Sequence, residues 1–385
     1  MKIGILTQSI NNNYGGILQN YALQTVLQRM GHKVETLNWD AYRCDHAHEG
    51  YIQQTWQIVK TFISRIILQR QRNYPWQQRD FFYLLSVPNR QFCKAHLHLS
   101  SWLWGASSFR DYTILHQFNA LIVGSDQTWR PQYNKNGMLD RMFLDFTTGL
   151  DIKRIAYAAS FGVDNWEYNQ QQTIRYARLL KQFDTISVRE ESGIRLCQEH
   201  LQTDDVKHVL DPTLLLEASD YETLIGNCPK MPSRLLTTYI LDNSKEIQQY
   251  IQTVAIQKQL HVTEFAPKYC NLGMVTAQNI GDYVSPSVIE WLTAFRNADY
   301  VICDSFHGTV FCIIFNKPFV TIGNRNRGIG RFNSLLSQFG LTDRLLEPTD
   351  DIITVLDKPI NWEFVNKRRQ NLKAISLQFL STSLS

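Results

Sequence analysis

The chain has 385 residues, 44% hydrophobic and 19% charged, with a formal net charge of +4. That length exceeds one ordinary core and suits two, and the composition is that of a globular protein. So mild a charge, with no concentrated basic stripe, excludes a typical nucleic-acid binder. The start, MKIGILT, runs straight into a strand-like segment, so the expectation is no signal peptide. Seven scattered cysteines (44, 93, 197, 228, 270, 303, 312) without a C-x-x-C pair fit reduced thiols in a cytoplasmic protein.

Residues 2–7 read as a strand and 8–14 as an Asn-rich loop. From 15 to 30, Ile17, Leu18, Tyr21, Ala22, Val26 and Leu27 recur at helical spacing, and Gly31 supplies the stop. Residues 33–39 read as a second strand. Strand, helix, strand is a βαβ unit and implies a parallel sheet.

Residues 41–115 interrupt this rhythm as a helical insertion. One amphipathic helix is predicted over 51–72, with Ile52, Trp56, Val59, Phe62, Ile63, Ile66 and Ile67 on one face and Arg65, Arg70, Arg72 and Arg79 nearby. Two readings stand: the apolar face packs on the sheet, or 51–79 is a basic, aromatic-bearing surface that rests on anionic lipid beside a lipid-linked substrate. The second would place the protein peripherally at the inner face of the membrane. Cys44, Asp45, His46, His48 and Glu49 form a possible metal set, but no second ligand pair follows at zinc spacing, and His96 and His98 would join them only by accident of folding. No metal is expected.

The α/β alternation returns with strands at 120–124, 154–160 and 185–189 and a helix near 168–182. A second series follows from 208, with strands at 235–241, 261–265, 300–303 and 319–322 and helices near 245–259, 286–298 and 307–316. The reading is α/β: two Rossmann-like domains with mainly parallel sheets facing a cleft. The first spans 1–205 on the acceptor side, the second 206–365, and a terminal helix at 366–385 packs back on the first.

Ligands of such sheets bind where strands end and helices begin. Three loops meet that rule. The first holds Asn13, Tyr14, Gly15 and Gly16, where glycines and a helix start admit an anion or form a plain turn. It is not a G-x-G-x-x-G dinucleotide fingerprint. The second holds Ser125, Asp126 and Gln127, suited to sugar hydroxyls or to capping, with Asp126 able to orient or deprotonate a hydroxyl. The third holds Asp304, Ser305, His307, Gly308 and Thr309; histidine is the side chain that exchanges a proton near neutrality, and Gly308 leaves room for a ligand. Arg189, at a strand end, and Arg325, Arg327 and Arg331, after the strand ending at Gly323, match carboxylate and phosphate geometry.

The order and spacing of several segments resemble the polysaccharide pyruvyl transferase family over nearly the whole chain. They are KIGILT, NNYGGILQNYALQ, GSDQTW, AYAASFG (156–162), SVREESG (187–193), VLDPTLLL (209–216), DSFHGT (304–309) and NKPFVTIG (316–323). The resemblance implies a GT-B-like fold and transfer of the pyruvyl group of phosphoenolpyruvate onto two hydroxyls of a sugar, as a cyclic ketal, in surface or exopolysaccharide (capsule) biosynthesis. It implies no cofactor, phosphoenolpyruvate being the donor substrate. The family histidine matches His307, and the anion-binding arginine of its R-E-x-S motif matches Arg189; with Asp126 these are the expected catalytic set. Many relatives carry arginine two positions before the histidine, where this chain has Ser305. Donor binding then leans on Arg189 and on Arg325, Arg327 or Arg331. Two alternatives stay open: a glycosyltransferase with a nucleotide-sugar donor, for which only the Gly281, Asp282 and Glu290 region offers itself, and a non-catalytic carbohydrate-binding relative.

Overall fold

The computed structural model describes residues 1–10, 13–40, 42, 44, 51–227, 234–265, 270–323, 328–347 and 350–385, with 51–54 as backbone only. Its strands form two sheets, parallel throughout. The first runs β2-β1-β3-β4-β5-β6, where β1 is Lys2–Leu6, β2 Lys33–Thr36, β3 Ala120–Val123, β4 Lys153–Ala159, β5 Thr185–Val188 and β6 Val206–His208. The second runs β11-β10-β9-β7-β8, where β7 is Leu235–Tyr239, β8 His261–Glu264, β9 Tyr300–Cys303, β10 Phe319–Ile322 and β11 Leu345–Leu346. Parallel strands need helical crossovers on both faces, so their sequences are apolar runs rather than alternations. Ala120–Val123, fully buried as ALIV, is such a run.

The first sheet extends past the expected division at 205/206, because β6 pairs with β5 through Val188 and His208. Its three residues, only one of them apolar, carry no strand pattern of their own.

Helix Tyr14–Arg29 starts where the Asn13 side chain accepts the Gly16 amide, and the chain turns away at Gly31 with φ +88°. It also buries polar groups with a purpose: the Gln19 amide donates to Thr7 Oγ1 at 2.7 Å, while its oxygen accepts the Ser125 amide at 2.9 Å. The helix therefore fixes the loop after β3.

The two sheets share one apolar cluster, in which Ile17 and Leu23 of the first half join Trp291 and Phe311 of the second. Tyr14 marks the seam, stacked on Trp291 at 5.6 Å and donating to the Pro286 carbonyl at 2.6 Å. Helix Trp362–Leu384 crosses back over the first sheet: Ser376 Oγ accepts the Leu210 amide at 3.0 Å, Thr185 donates to Ser383 at 2.8 Å, and Phe379 lies against Tyr157.

The insertion holds helices Tyr51–Ile66, Pro75–Leu85, Val87–His96 and Gly105–His116. The reading that packs the apolar face of the first helix inward is corrected. Thr61 and Ser64 are buried, while Trp56, Phe62, Ile66 and Ile67 are 53–68% exposed. Phe92, Cys93 and Phe109 of the later helices fill the core instead. Helical spacing reveals that a stripe exists, not what covers it. Of the metal candidate only Cys44 is described, and it is buried; residues 45–50 lie outside the described residues. His96 packs on Phe92, and among the described residues no three His, Cys, Asp or Glu side chains converge as for a metal. No helix is long and apolar enough to cross a membrane among the described residues.

Candidate active site

The carboxyl ends of β1, β3, β5, β6 and β9 converge where the sheets face one another. After β3, Gly124 takes φ +122°, and an added Cβ would overlap the Tyr157 carbonyl, so only glycine lets the loop lie this close to β4. Asp126 follows at φ +73° and bridges to Ala159. Ser125 donates to the Ala158 carbonyl at 2.8 Å and lies 3.1 Å from Asp211 Oδ2. After β5 come Arg189 and Glu190; after β6 comes Asp211; after β9 helix Phe306–Ile314 opens with His307 in its first turn.

Arg189 is the hub. Its Nη1 donates to Asp211 Oδ2 and its Nη2 to Asp126 Oδ1, each at 2.9 Å, and the guanidinium lies 4.3 Å from the Phe306 ring centroid. Asp211 also accepts both the Thr213 amide and hydroxyl. His307 Nε2 sits 3.5 Å from Asp211 Oδ2, a distance and orientation of electrostatic contact rather than a formed hydrogen bond. The other edge of the ring rests on the backbone of Gly15, where an added Cβ would overlap Nδ1 and Cγ. Helices Tyr14–Arg29 and Phe306–Ile314 thus bring their amino ends together, and both helix dipoles favour an anion there. Asn13 ties the first of them to Asp126 Oδ2 at 3.2 Å.

Burial opposes charge at Asp126, but Arg189, His307 and Arg331 outweigh it and hold the carboxyl below the usual range. At Asp211 burial is likewise overcome, by His307 and Arg189, and the carboxyl is held well below that range. Glu190 is different: burial pushes it up, and Arg189 offsets this only in part. Burial also lowers Arg331, followed by the neighbouring Arg189 cation, to about 10. Arg331 reaches the cluster across Phe306, at 5.9 Å from its ring centroid.

Of the residues singled out from sequence, Asn13, Gly15, Ser125, Asp126, Arg189, His307 and Arg331 come together. Arg189 does not meet an open anion site; both its Nη atoms face carboxylates of its own chain. Tyr14 turns to the domain seam, Gly16 lies under the Asn13 amide, and Gln127 binds Arg130. The Asp304 carboxylate accepts the amides of Leu241 and Asp242. Ser305 caps the helix at the Gly308 amide, Gly308 faces Cys303 rather than ligand space, and Thr309 is buried against Thr321. Arg325 and Arg327 lie outside the described residues. Asp211, Glu190 and Phe306 are site residues to which the sequence reading gave no role, although Glu190 stands in the R-E-x-S motif, Phe306 in the third loop and Asp211 in the VLDPTLLL segment.

Two parallel α/β halves meeting at strand ends, with the candidate site between them, define a protein of the GT-B-like class. Among solved structures the fold is similar to the UDP-GlcNAc 2-epimerase of Methanocaldococcus jannaschii, with a TM-score of 0.53 at 11% identity, covering 98% of this chain and 99% of that one. It is also similar to the UDP-N-acetylglucosamine 2-epimerase of Rickettsia bellii, with a TM-score of 0.51 at 10% identity, covering 99% and 96%. No curated protein sequence matches the chain. The chain belongs to the polysaccharide pyruvyl transferase family, whose model matches residues 13–326.

Proposed function

We propose that this transferase moves the pyruvyl group of phosphoenolpyruvate onto two hydroxyls of a sugar, forming a cyclic ketal in surface or exopolysaccharide assembly. The observation that carries the reading is His307, set between Gly15 and Asp211 at two converging helix starts in a chain of this family.

In this mechanism the imidazolium of His307 protonates the methylene carbon of the donor, leaving C2 electrophilic. A sugar hydroxyl adds to C2 and passes its proton to Asp126; phosphate then departs as the second hydroxyl adds, and that hydroxyl's proton returns to the now neutral His307. Asp211 steadies the protonated ring, and Arg189 holds Asp211 and Asp126 in place, so Arg189 is a positioning residue. Asp126 is kept as a carboxylate by its cationic neighbours and accepts a hydroxyl proton. The converging helix starts, with Arg331 beyond Phe306, supply the positive field for the donor anion.

The test is phosphate release from phosphoenolpyruvate over a panel of sugar diols, beside calorimetric titration with phosphoenolpyruvate and with nucleotide sugars. Release that requires both acceptor and His307 is the expected result. Binding of nucleotide sugars alone would overturn it.

A further inference from the structure

We infer that the outward face of helix Tyr51–Ile66, with the segment that follows it to Arg72, is a docking surface for an anionic lipid bilayer. The helix is inverted relative to a core helix. Thr61 and Ser64 point into the protein, whereas Trp56, Phe62, Ile66 and Ile67 are 55%, 53%, 63% and 68% exposed. A contiguous apolar stripe on a helix of sixteen residues, about 24 Å long, marks a contact surface rather than scattered exposure.

Charge selects the occupant. From 51 to 78 the chain has no Asp or Glu but carries Lys60, Arg65, Arg70 and Arg72, all exposed. Two of these cations sit on aromatic rings: Lys60 is 5.4 Å from the Trp56 centroid, and Arg65 is 5.4 Å from that of Tyr74, which stacks on the half-exposed Trp76. Aromatic rings paired with long cations are what an interface of acyl chains and phosphate headgroups accommodates, the rings at headgroup depth and the cations on the phosphates. A protein partner of matching shape would need a strongly acidic rim. A second copy of this chain would set these cations against each other.

The experiment is co-sedimentation of the full chain with vesicles of phosphatidylcholine alone and of phosphatidylcholine mixed with phosphatidylglycerol. Binding to the mixed vesicles only, weakening as salt rises, is expected. Arg70→Gln should lower the partition coefficient about five-fold. Phe62→Asp combined with Ile66→Asp should abolish binding with an unchanged melting temperature, since both side chains lie outside the core. Equal binding to both vesicle types, no binding to either, or binding retained by the double variant would each overturn the inference. So would a wild-type dimer that the double variant converts to monomer without any vesicle binding, which would assign the face to a second copy.

Discussion

His307 Nε2 lies 3.5 Å from Asp211 Oδ2, so a histidine of the second sheet's domain is met by a carboxylate from the end of the first sheet. Asp211 in turn is held by Arg189, Ser125 and Thr213, none of which moves without disturbing the ring's partner.

Replacing His307 removes the proposed proton donor but only a small packed ring. His307→Asn should lower kcat by about a hundred-fold or more, the usual scale of general acid catalysis, while the melting temperature stays near wild type. Steady-state phosphate release and a thermal melt check both halves; near-normal turnover would remove His307 from the reaction.

Asp211→Asn leaves the buried Arg189 and His307 short of a charge and should cost about 3–5 kcal/mol of stability, read from denaturant melts. The depressed carboxyl also fixes the sign of an acid effect. Its contribution is fully present above the ordinary aspartate value of 3.8 and is lost as pH falls from there through the folded value. Wild-type stability should therefore drop as pH goes below 3.8, and the Asn variant should drop less steeply over the same window.

Gly15→Ala introduces a methyl group where the imidazole of His307 lies. The ring must leave its seat and lose its alignment with Asp211, so kcat should fall steeply at a stability cost of about 1–3 kcal/mol, the range for overpacking. A variant that keeps both full activity and the wild-type melt would show that the two helix starts do not meet in solution.

Arg189→Lys keeps the charge but loses the fork that bridges Asp126 and Asp211. It should lower kcat and stability and leave the apparent KM for phosphoenolpyruvate nearly unchanged. A large rise in that KM with kcat intact would instead make Arg189 a direct donor ligand.

The parallel sheets were legible because buried strands such as 120–123 and 300–303 are unbroken apolar runs between helical patterns. Strands β6 and β11, of three and two residues, have too little sequence to show a pattern. In the candidate site, Asp126, Arg189 and His307 stand at strand ends, where the topology alone points. Asp211 follows a strand end as well, but β6 is too short to show a strand pattern, so nothing in the sequence marked that end. The direction of the 51–66 stripe was equally hidden, being decided by which neighbours had already filled the core.

The contact between Gly15 and the ring of His307 has a mechanical consequence. One half of the molecule supplies the imidazole and the other supplies both its seat and its carboxylate, 3.5 Å away. A rotation of one half against the other would therefore lift the ring from its seat and part it from Asp211 in the same movement.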